Sequence, residues 1–121
     1  MGRKLLVVDD DELVLIALQE LLTPLEFSVT TSGNGPAALE KLSAERFDLV
    51  ILDVIMPEMD GFEVCRQIRR MPAYAETPII MLTAKSGEED KRRGMEVGAN
   101  LYLPKPIAPK RLILLVEEAM K

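Results

Sequence analysis

Short aliphatic runs alternate along the chain with longer segments in which apolar residues recur every three or four positions. The aliphatic runs have strand length, and the longer segments have helical spacing. The five predicted strands are residues 4–8, 27–31, 47–52, 78–82 and 100–103. The five predicted helices are residues 12–25, 36–45, 61–70, 87–97 and 109–121. This alternation predicts an α/β fold: a (βα)5, doubly wound domain whose parallel sheet carries helices on both faces.

Residues at the predicted boundaries support the helices. Asp60 with Glu63, and Ser86 with Glu89, have the spacing of a capping box, in which the first side chain accepts a hydrogen bond from the backbone of the second. Pro109 suits the first turn of the last helix, where an N–H group has no partner in any case. We therefore expect Asp60 and Ser86 to cap the third and fourth helices.

Composition limits the class of protein. The 121 residues are enough for one domain, residues 1–121, and 48% of them are apolar. A net charge of −5 argues against a nucleic-acid interface, which requires a basic face. No apolar run approaches the length of a membrane span, and the first residues do not resemble a signal peptide. We therefore expect a soluble cytoplasmic protein that contacts neither nucleic acid nor membrane.

The residue types that are scarce restrict the chemistry further. The single cysteine, Cys65, excludes an internal disulfide and suits a reducing compartment. Histidine is absent, which removes histidine-based acid–base catalysis and a zinc site of four nitrogen or sulfur ligands. Any chemistry must therefore depend on carboxylates, hydroxyls and amines.

Polar residues follow the ends of four predicted strands. They are Asp9 with Asp10, then Asp53, Thr83 and Lys105. Right-handed crossovers place the carboxyl ends of parallel strands at one edge of the sheet, which is where open α/β sheets bind ligands. Taken alone, Asp53 could be a turn residue, Thr83 a turn hydroxyl and Lys105 a solvated charge. Their shared edge favours a functional site.

The grouping of acids predicts a cation. Two carboxylates 4 Å apart repel by roughly 1 to 4 kcal/mol at effective dielectric constants between that of water and that of a protein surface. Oxygen ligands of this kind suit Mg²⁺. With the repulsion screened, Asp53 can act as a nucleophile toward a phosphoryl group, with Thr83 and Lys105 contacting its oxygens.

Four motifs resemble one protein family throughout the chain, the receiver domain of two-component response regulators, with chemotaxis-type regulators nearest in size. The motifs are VVDDD at 7–11, LDVIMPEMDG at 52–61, LTA at 82–84 and KP at 105–106. The resemblance implies a flavodoxin-like fold with strand order 2-1-3-4-5. It also implies a phosphoprotein of two-component signal transduction, a signalling phosphoacceptor rather than an enzyme.

The resemblance assigns roles to the acidic residues. Asp53 would be the phosphoacceptor, taking a phosphoryl group from a phosphohistidine on a partner histidine kinase or phosphotransfer protein. Asp10, Asp53 and the backbone carbonyl of Ile55 would hold Mg²⁺, and Asp9 would contribute through a water molecule.

The resemblance also implies a switch. Thr83 and Lys105 would contact the phosphoryl group, and the Lys105–Pro106 bond would be cis. On phosphorylation Thr83 would move, and Tyr102 would turn inward from an outward rotamer. The surface of the fourth helix, fifth strand and fifth helix would then change toward a downstream effector or a second copy of the chain. The alternative for Tyr102 is a half-buried tyrosine with its hydroxyl in water.

Three features depart from the usual pattern of the family. Ala108 stands at the expected cap of the last helix, with Lys110 and Arg111 opposing the helix dipole, so we expect a labile helix start. Ile55 and Lys85 occupy two positions that help govern loss of the phosphoryl group. An aliphatic side chain at 55 cannot orient an attacking water, which predicts slow self-dephosphorylation. The last helix is apolar almost all round, over 112–116, which is either a docking surface or scattered exposure.

Other classes of protein fit less well. A haloacid-dehalogenase-type phosphatase requires a second acid where this chain has Ile55. A nucleotide- or flavin-binding domain requires a glycine-rich first loop, whereas this loop is acidic. The remaining alternative is a receiver-like module that binds or dimerises without being phosphorylated.

Overall fold

The computed structural model describes residues 2–121, which form a five-stranded parallel sheet with helices on both faces. The strands are β1 (Lys4–Val8), β2 (Ser28–Ser32), β3 (Leu49–Leu52), β4 (Ile79–Thr83) and β5 (Leu101–Pro104). The helices are α1 (Glu12–Leu22), α2 (Gly35–Ala44), α3 (Gly61–Arg70), α4 (Glu88–Glu96) and α5 (Pro109–Ala119). The strand order is β2-β1-β3-β4-β5, so the predicted (βα)5 fold and its order are confirmed.

Two short 3₁₀ helices modify the predicted boundaries. The first helix was predicted to reach residue 25, but α1 ends at Leu22 and a 3₁₀ turn, Thr23–Leu25, follows. Pro24 explains the change, because proline lacks the N–H that would continue the α-helix. The second turn, Pro72–Tyr74, lies between α3 and β4. Strand ends differ from the prediction by one or two residues, as is usual for element boundaries.

The two faces of the sheet have separate cores because successive strand residues point to opposite sides. Leu5 and Val7 of β1 pack with α1 and α5, while Leu6 and Val8 pack with α2 and α3. All residues of β3 and β4 are buried, as expected for central strands covered on both sides. The core therefore fixes the positions at which the central strands deliver their carboxyl ends.

The predicted cap of α3 is present, whereas the predicted cap of α4 is wrong. The Asp60 carboxylate accepts from the Glu63 backbone N–H at 3.0 Å, as expected. Among residues 2–121, however, no side chain caps α4, and Gly87 rather than Ser86 occupies the cap position. Three acidic residues in the first turn, 88–90, supply favourable charge at this end of the helix instead.

Candidate functional site

The four strand ends bring together the acids and the lysine that the sequence singles out. Asp9 follows β1, Asp53 follows β3 and Lys105 follows β5, while Thr83 is the last residue of β4. Carboxylate oxygens of Asp9, Asp10 and Asp53 all lie within 4.8 Å of one another. Asp9 and Asp53 are buried and Asp10 is exposed. The prediction that these three carboxylates share one edge of the sheet is confirmed.

Lys105 lies between two of these carboxylates. Its ammonium donates to Asp9 Oδ2 at 2.7 Å and to Asp53 Oδ2 at 3.1 Å. Burial alone would lower the pKa of Lys105, but the hydrogen bonds to both carboxylates raise it above its ordinary value. Burial raises the pKa of Asp9 and outweighs the opposing hydrogen bond from Lys105. The site thus keeps a positive charge beside Asp9, whose ionisation burial makes costly.

The backbone around Asp53 fixes its side chain. Oδ1 accepts from the backbone N–H groups of Val54, at 2.7 Å, and Ile55, at 3.3 Å. The N–H of Gly61 then donates to the Val54 carbonyl at 2.8 Å, which folds the start of α3 onto the end of β3. A Cβ atom at Gly61 would lie 2.2 Å from the Asp53 carbonyl oxygen, so this close approach requires glycine. One oxygen of Asp53 is therefore anchored, and the other faces Lys105.

Thr83 lies on the strand next to β3 and is fully buried. Its hydroxyl accepts from the Lys85 backbone N–H at 3.2 Å, which leaves the hydroxyl hydrogen free to donate. The Lys85 side chain extends to Asp90 in the first turn of α4, with its ammonium 3.4 Å from a carboxylate oxygen. The loop after β4 is therefore connected both to the site and to α4.

The expectation of an outward Tyr102 is wrong for this structure, and so is a hydroxyl in water. Tyr102 is 7% exposed, and its hydroxyl donates to the backbone carbonyl of Lys85. Burial, with the negative charges of Asp90 and Asp53, raises the pKa of Tyr102 to about 12. The ring packs against Gly94 of α4, where the absent side chain leaves room. This contact was missed, although glycine inside a helix, which costs about 1 kcal/mol relative to alanine, was a visible signal.

The remaining predicted positions lie at the rim of the site. The Lys105–Pro106 bond is cis, as the resemblance implies. Ile55 is 53% exposed and directs an aliphatic side chain toward solvent. The donor set fits Mg²⁺: three clustered carboxylates supply the hard oxygen ligands that this ion prefers, and the exposure of Asp10 leaves room for water ligands.

A parallel α/β domain with an acidic, cation-compatible site at the carboxyl edge of its sheet defines the class to which the chain belongs. Within that class, the family model for the response regulator receiver domain matches residues 5–117. The chain therefore belongs to the response regulator receiver domain family.

Relatives and solved structures agree with this assignment. The chain is 44% identical over 112 residues to the alkaline phosphatase synthesis transcriptional regulatory protein PhoP of Bacillus subtilis, covering 93% of this chain and 46% of PhoP. It therefore spans about half the length of the curated relatives it matches.

Two solved structures extend the likeness to three dimensions. Chemotaxis protein CheY4 of Vibrio cholerae is 36% identical with a TM-score of 0.94, over 98% of this chain and 99% of that chain. The BeF3-activated DrrB receiver domain is 37% identical with a TM-score of 0.90, over 98% and 97% of the two chains. Among residues 2–121, no helix is long and apolar enough to cross a membrane.

Proposed function

We propose that the protein is a phosphoacceptor of a two-component phosphorelay and that Asp53 carries the phosphoryl group. The observation that supports this most directly is the buried Asp53 carboxylate, with one oxygen held by two backbone N–H groups and the other beside the Lys105 ammonium. Asp53 Oδ2, the oxygen beside Lys105, attacks the phosphorus of a phosphohistidine. The phosphorus–nitrogen bond breaks, and the imidazole leaves with its electron pair and takes up a proton.

Residues around Asp53 stabilise the charge that this transfer develops. The Lys105 ammonium neutralises a phosphoryl oxygen, and the Thr83 hydroxyl donates to another. Asp10, Asp53 and the Ile55 backbone carbonyl would hold Mg²⁺, with Asp9 acting through water. When bound, the ion supplies charge neutralisation between the carboxylates and the incoming phosphoryl group. The protein residues position the acceptor oxygen and the counter-charges.

The donor we propose is a histidine kinase or phosphotransfer protein. An apolar groove of about 440 Å³ lies beside Lys105. Its lining combines α1, β4 and the loop after β5, through Val14, Ala17, Leu18, Leu82, Lys105, Pro106 and Ile107. Leu13, 75% exposed, adds apolar surface on the same helix. Apolar surface of this kind beside the acceptor supports docking of a protein donor. A reducing compartment such as the cytoplasm suits the single buried cysteine.

The output we propose is a change in the surface formed by α4, β5 and α5. Thr83 and Tyr102 both form hydrogen bonds with the backbone of Lys85. The Lys85 side chain pairs with Asp90 of α4, which links the phosphorylation site to that helix. On α5, Leu112 and Val116 are buried, whereas Leu114 is 64% exposed. This exposed apolar position supports contact with an effector or with a second copy of the chain.

A labelling experiment tests the acceptor. Incubation with radioactive acetyl phosphate and Mg²⁺ should label the parent chain, the label should be released by hydroxylamine as expected for an acyl phosphate, and Asp53→Asn should abolish it. Asp48→Asn is the matched control, because Asp48 lies before the same strand at its opposite end, where it accepts from the Lys4 N–H. Unlabelled parent protein, or label that survives Asp53→Asn, would instead favour the phosphorylation-independent binding or dimerisation module.

The lifetime of the label tests the role of position 55. The exposed aliphatic side chain of Ile55 cannot hold a water molecule for attack on the phosphoryl group, so we expect slow self-dephosphorylation. Ile55→Asn should shorten the lifetime, because an amide can hydrogen-bond that water. A lifetime of seconds in the parent protein would contradict this expectation.

A further inference from the structure

Gly94 is the buried residue of α4, and it faces the ring of Tyr102. A methyl group at this position would lie 2.6 Å from Tyr102 Cδ1 and 2.9 Å from Cε1. These distances are shorter than nonbonded carbon atoms tolerate. We infer that Gly94 is a positioning residue of the switch: the absence of a side chain at 94 creates the slot in which the inward ring of Tyr102 lies.

The end of α4 is fixed, so an added methyl group would displace the ring rather than the helix. The Gly94 carbonyl accepts from the Ala99 N–H at 3.0 Å, which ties the end of α4 to the start of β5. Arg69 of α3 donates from Nε to the Gly98 carbonyl at 3.0 Å and from Nη2 to Asn100 Oδ1 at 2.9 Å. The turn that follows α4 is therefore held both by its own backbone bond to Gly94 and by the Arg69 guanidinium.

The ring is the part that can move. Tyr102 is attached to the edge strand β5, and one hydrogen bond, to the Lys85 carbonyl, holds its hydroxyl. The other near neighbour, the Met81 sulfur, would lie 3.0 Å from the methyl group, and it ends a flexible side chain that can adjust. A side chain at 94 therefore acts mainly on Tyr102.

The consequence for signalling rests on the proposed function. Lys85 connects the two parts, since its carbonyl accepts from Tyr102 and its N–H donates to Thr83. An occupied slot would keep Tyr102 outward whether or not Asp53 carries a phosphoryl group. Phosphorylation of Asp53 would then persist while the response of the α4–β5–α5 surface was lost.

Tyrosine-selective NMR of Gly94→Ala tests the slot. The chain has two tyrosines, and Tyr74, which is 1% exposed and bonded to the Leu42 carbonyl, serves as internal reference. With a soluble paramagnetic agent, Tyr102 ring signals should lose their protection in Gly94→Ala, while Tyr74 stays protected. Gly33→Ala is the matched control, because its methyl group would meet no described atom within 4 Å. A Tyr102 ring that stays protected in Gly94→Ala overturns the inference.

A double variant keeps the inference testable if Gly94→Ala folds poorly. Removing the ring with Tyr102→Ala should abolish the destabilisation that the methyl group at position 94 causes. Urea unfolding should then show that Gly94→Ala lowers the midpoint in the parent background but leaves it equal or higher in the Tyr102→Ala background. An equal loss in both backgrounds would show that the methyl group clashes with something other than the ring, which overturns the inference.

Labelling with acetyl phosphate separates this inference from the proposed function. We expect Gly94→Ala to take label at Asp53 as the parent does, with Tyr102 signals that no longer respond to it. If Gly94→Ala both exposes the ring and loses the label, then Gly94 also affects the phosphorylation site. That result would overturn the inference that Gly94 acts only on the switch. A parent chain that takes no label would contradict the proposed function. Exposure of the Tyr102 ring in unlabelled Gly94→Ala would still test whether Gly94 makes room for the ring.

Discussion

The helices on the two sides of the site begin differently. On the acidic side, Asp11 caps α1 by accepting from a backbone N–H at 3.0 Å, and Asp60 caps α3 in the same way. On the other side, Gly87 occupies the cap position of α4 and Ala108 that of α5, and no described side chain caps either helix. The acidic side is also the one where Asp53 is anchored by two backbone N–H groups.

This difference separates a rigid half of the site from a movable half. A side-chain cap contributes about 1 kcal/mol to the helix start that it holds. The caps of α1 and α3 therefore fix the segments that carry Asp9, Asp10 and Asp53. The starts of α4 and α5 lack this stabilisation. The segment before α4, which carries Lys85, and the segment between Lys105 and α5 therefore rearrange at a lower cost in free energy. An acceptor needs fixed geometry, whereas a responding surface needs two accessible arrangements.

The largest expected effect comes from disturbing the rigid half at Gly61. In Gly61→Ala the methyl group would lie 2.2 Å from the Asp53 carbonyl oxygen and 2.7 Å from Val54 Cα, both backbone atoms. Because neither can yield without displacing Asp53, we expect a loss of about 3 kcal/mol in unfolding free energy and a loss of labelling at Asp53. Urea unfolding measures the first quantity. Gly33→Ala, which adds a methyl group to open space, should cost little.

Asp9→Asn tests whether the rigid half is built for a cation. Burial raises the pKa of Asp9 above its ordinary value of 3.8. An acid whose pKa folding raises contributes stability at low pH that is lost as the pH rises through the folded pKa. Without divalent cations, the parent should therefore lose stability relative to Asp9→Asn as the pH rises above about 4.

Magnesium should reverse the order of stability of the parent and Asp9→Asn. At a concentration a hundred times its dissociation constant, a ligand that binds only the folded state adds about 2.7 kcal/mol. Asp9→Asn removes one carboxylate of the cluster and should gain less. Thermal unfolding with and without Mg²⁺ measures both effects, with Asp48→Asn as control. An equal gain from Mg²⁺ in the parent and in Asp9→Asn would contradict a role for Asp9 at the cation.

Asp60→Ala would make α3 resemble the uncapped helices. The Glu63 N–H loses its partner, so we expect a loss of about 1 kcal/mol in unfolding free energy. Amide exchange should accelerate at the start of α3 while remaining slow in its middle. Asp60→Ser is the matched control, since serine is also a good cap. Unchanged exchange in Asp60→Ala would show that the loop from Asp53 to Gly61 holds α3 without the cap.

Features carried by the chain's own pattern could be predicted from the sequence. Strand-length runs located Asp53, Thr83 and Lys105 at one edge, because parallel strands with right-handed crossovers share the direction of their carboxyl ends. The capping spacing of Asp60 was read correctly for the same reason: cap and partner lie within one turn.

Features that depend on distant contacts could not be predicted. Ser86 has the spacing of a cap, yet Gly87 occupies the cap position of α4. The Lys85 side chain pairs instead with Asp90 in the first turn of that helix. The inward ring of Tyr102 depends on the missing side chain of Gly94, a contact between two elements that spacing alone does not reveal. Arg69 likewise reads as one of several surface arginines but donates to the carbonyls of residues 74, 77 and 98.

The smallest expected effect would make α5 resemble the capped helices. Ala108 has an extended backbone conformation, φ −62° and ψ 130°, in which a serine hydroxyl can accept from an N–H in the first turn. Ala108→Ser should therefore gain up to about 1 kcal/mol, reduced by the adverse charges of Lys110 and Arg111 near the helix start. Ala17→Ser, the same change on an exposed position inside α1, should stabilise nothing.

Hydrogen exchange then measures whether the start of α5 is labile. In the parent, the amides of Lys110 and Arg111 should exchange faster than that of Leu115 in the middle of α5, because no described side chain caps the first turn and the Arg111 N–H donates only to the Ala108 carbonyl, at 3.0 Å. Ala108→Ser should slow the first two and leave Leu115 unchanged. If the start of α5 is already as slow as its middle in the parent, the movable half of the site lies elsewhere, and the contrast between capped and uncapped helices loses its meaning for the switch.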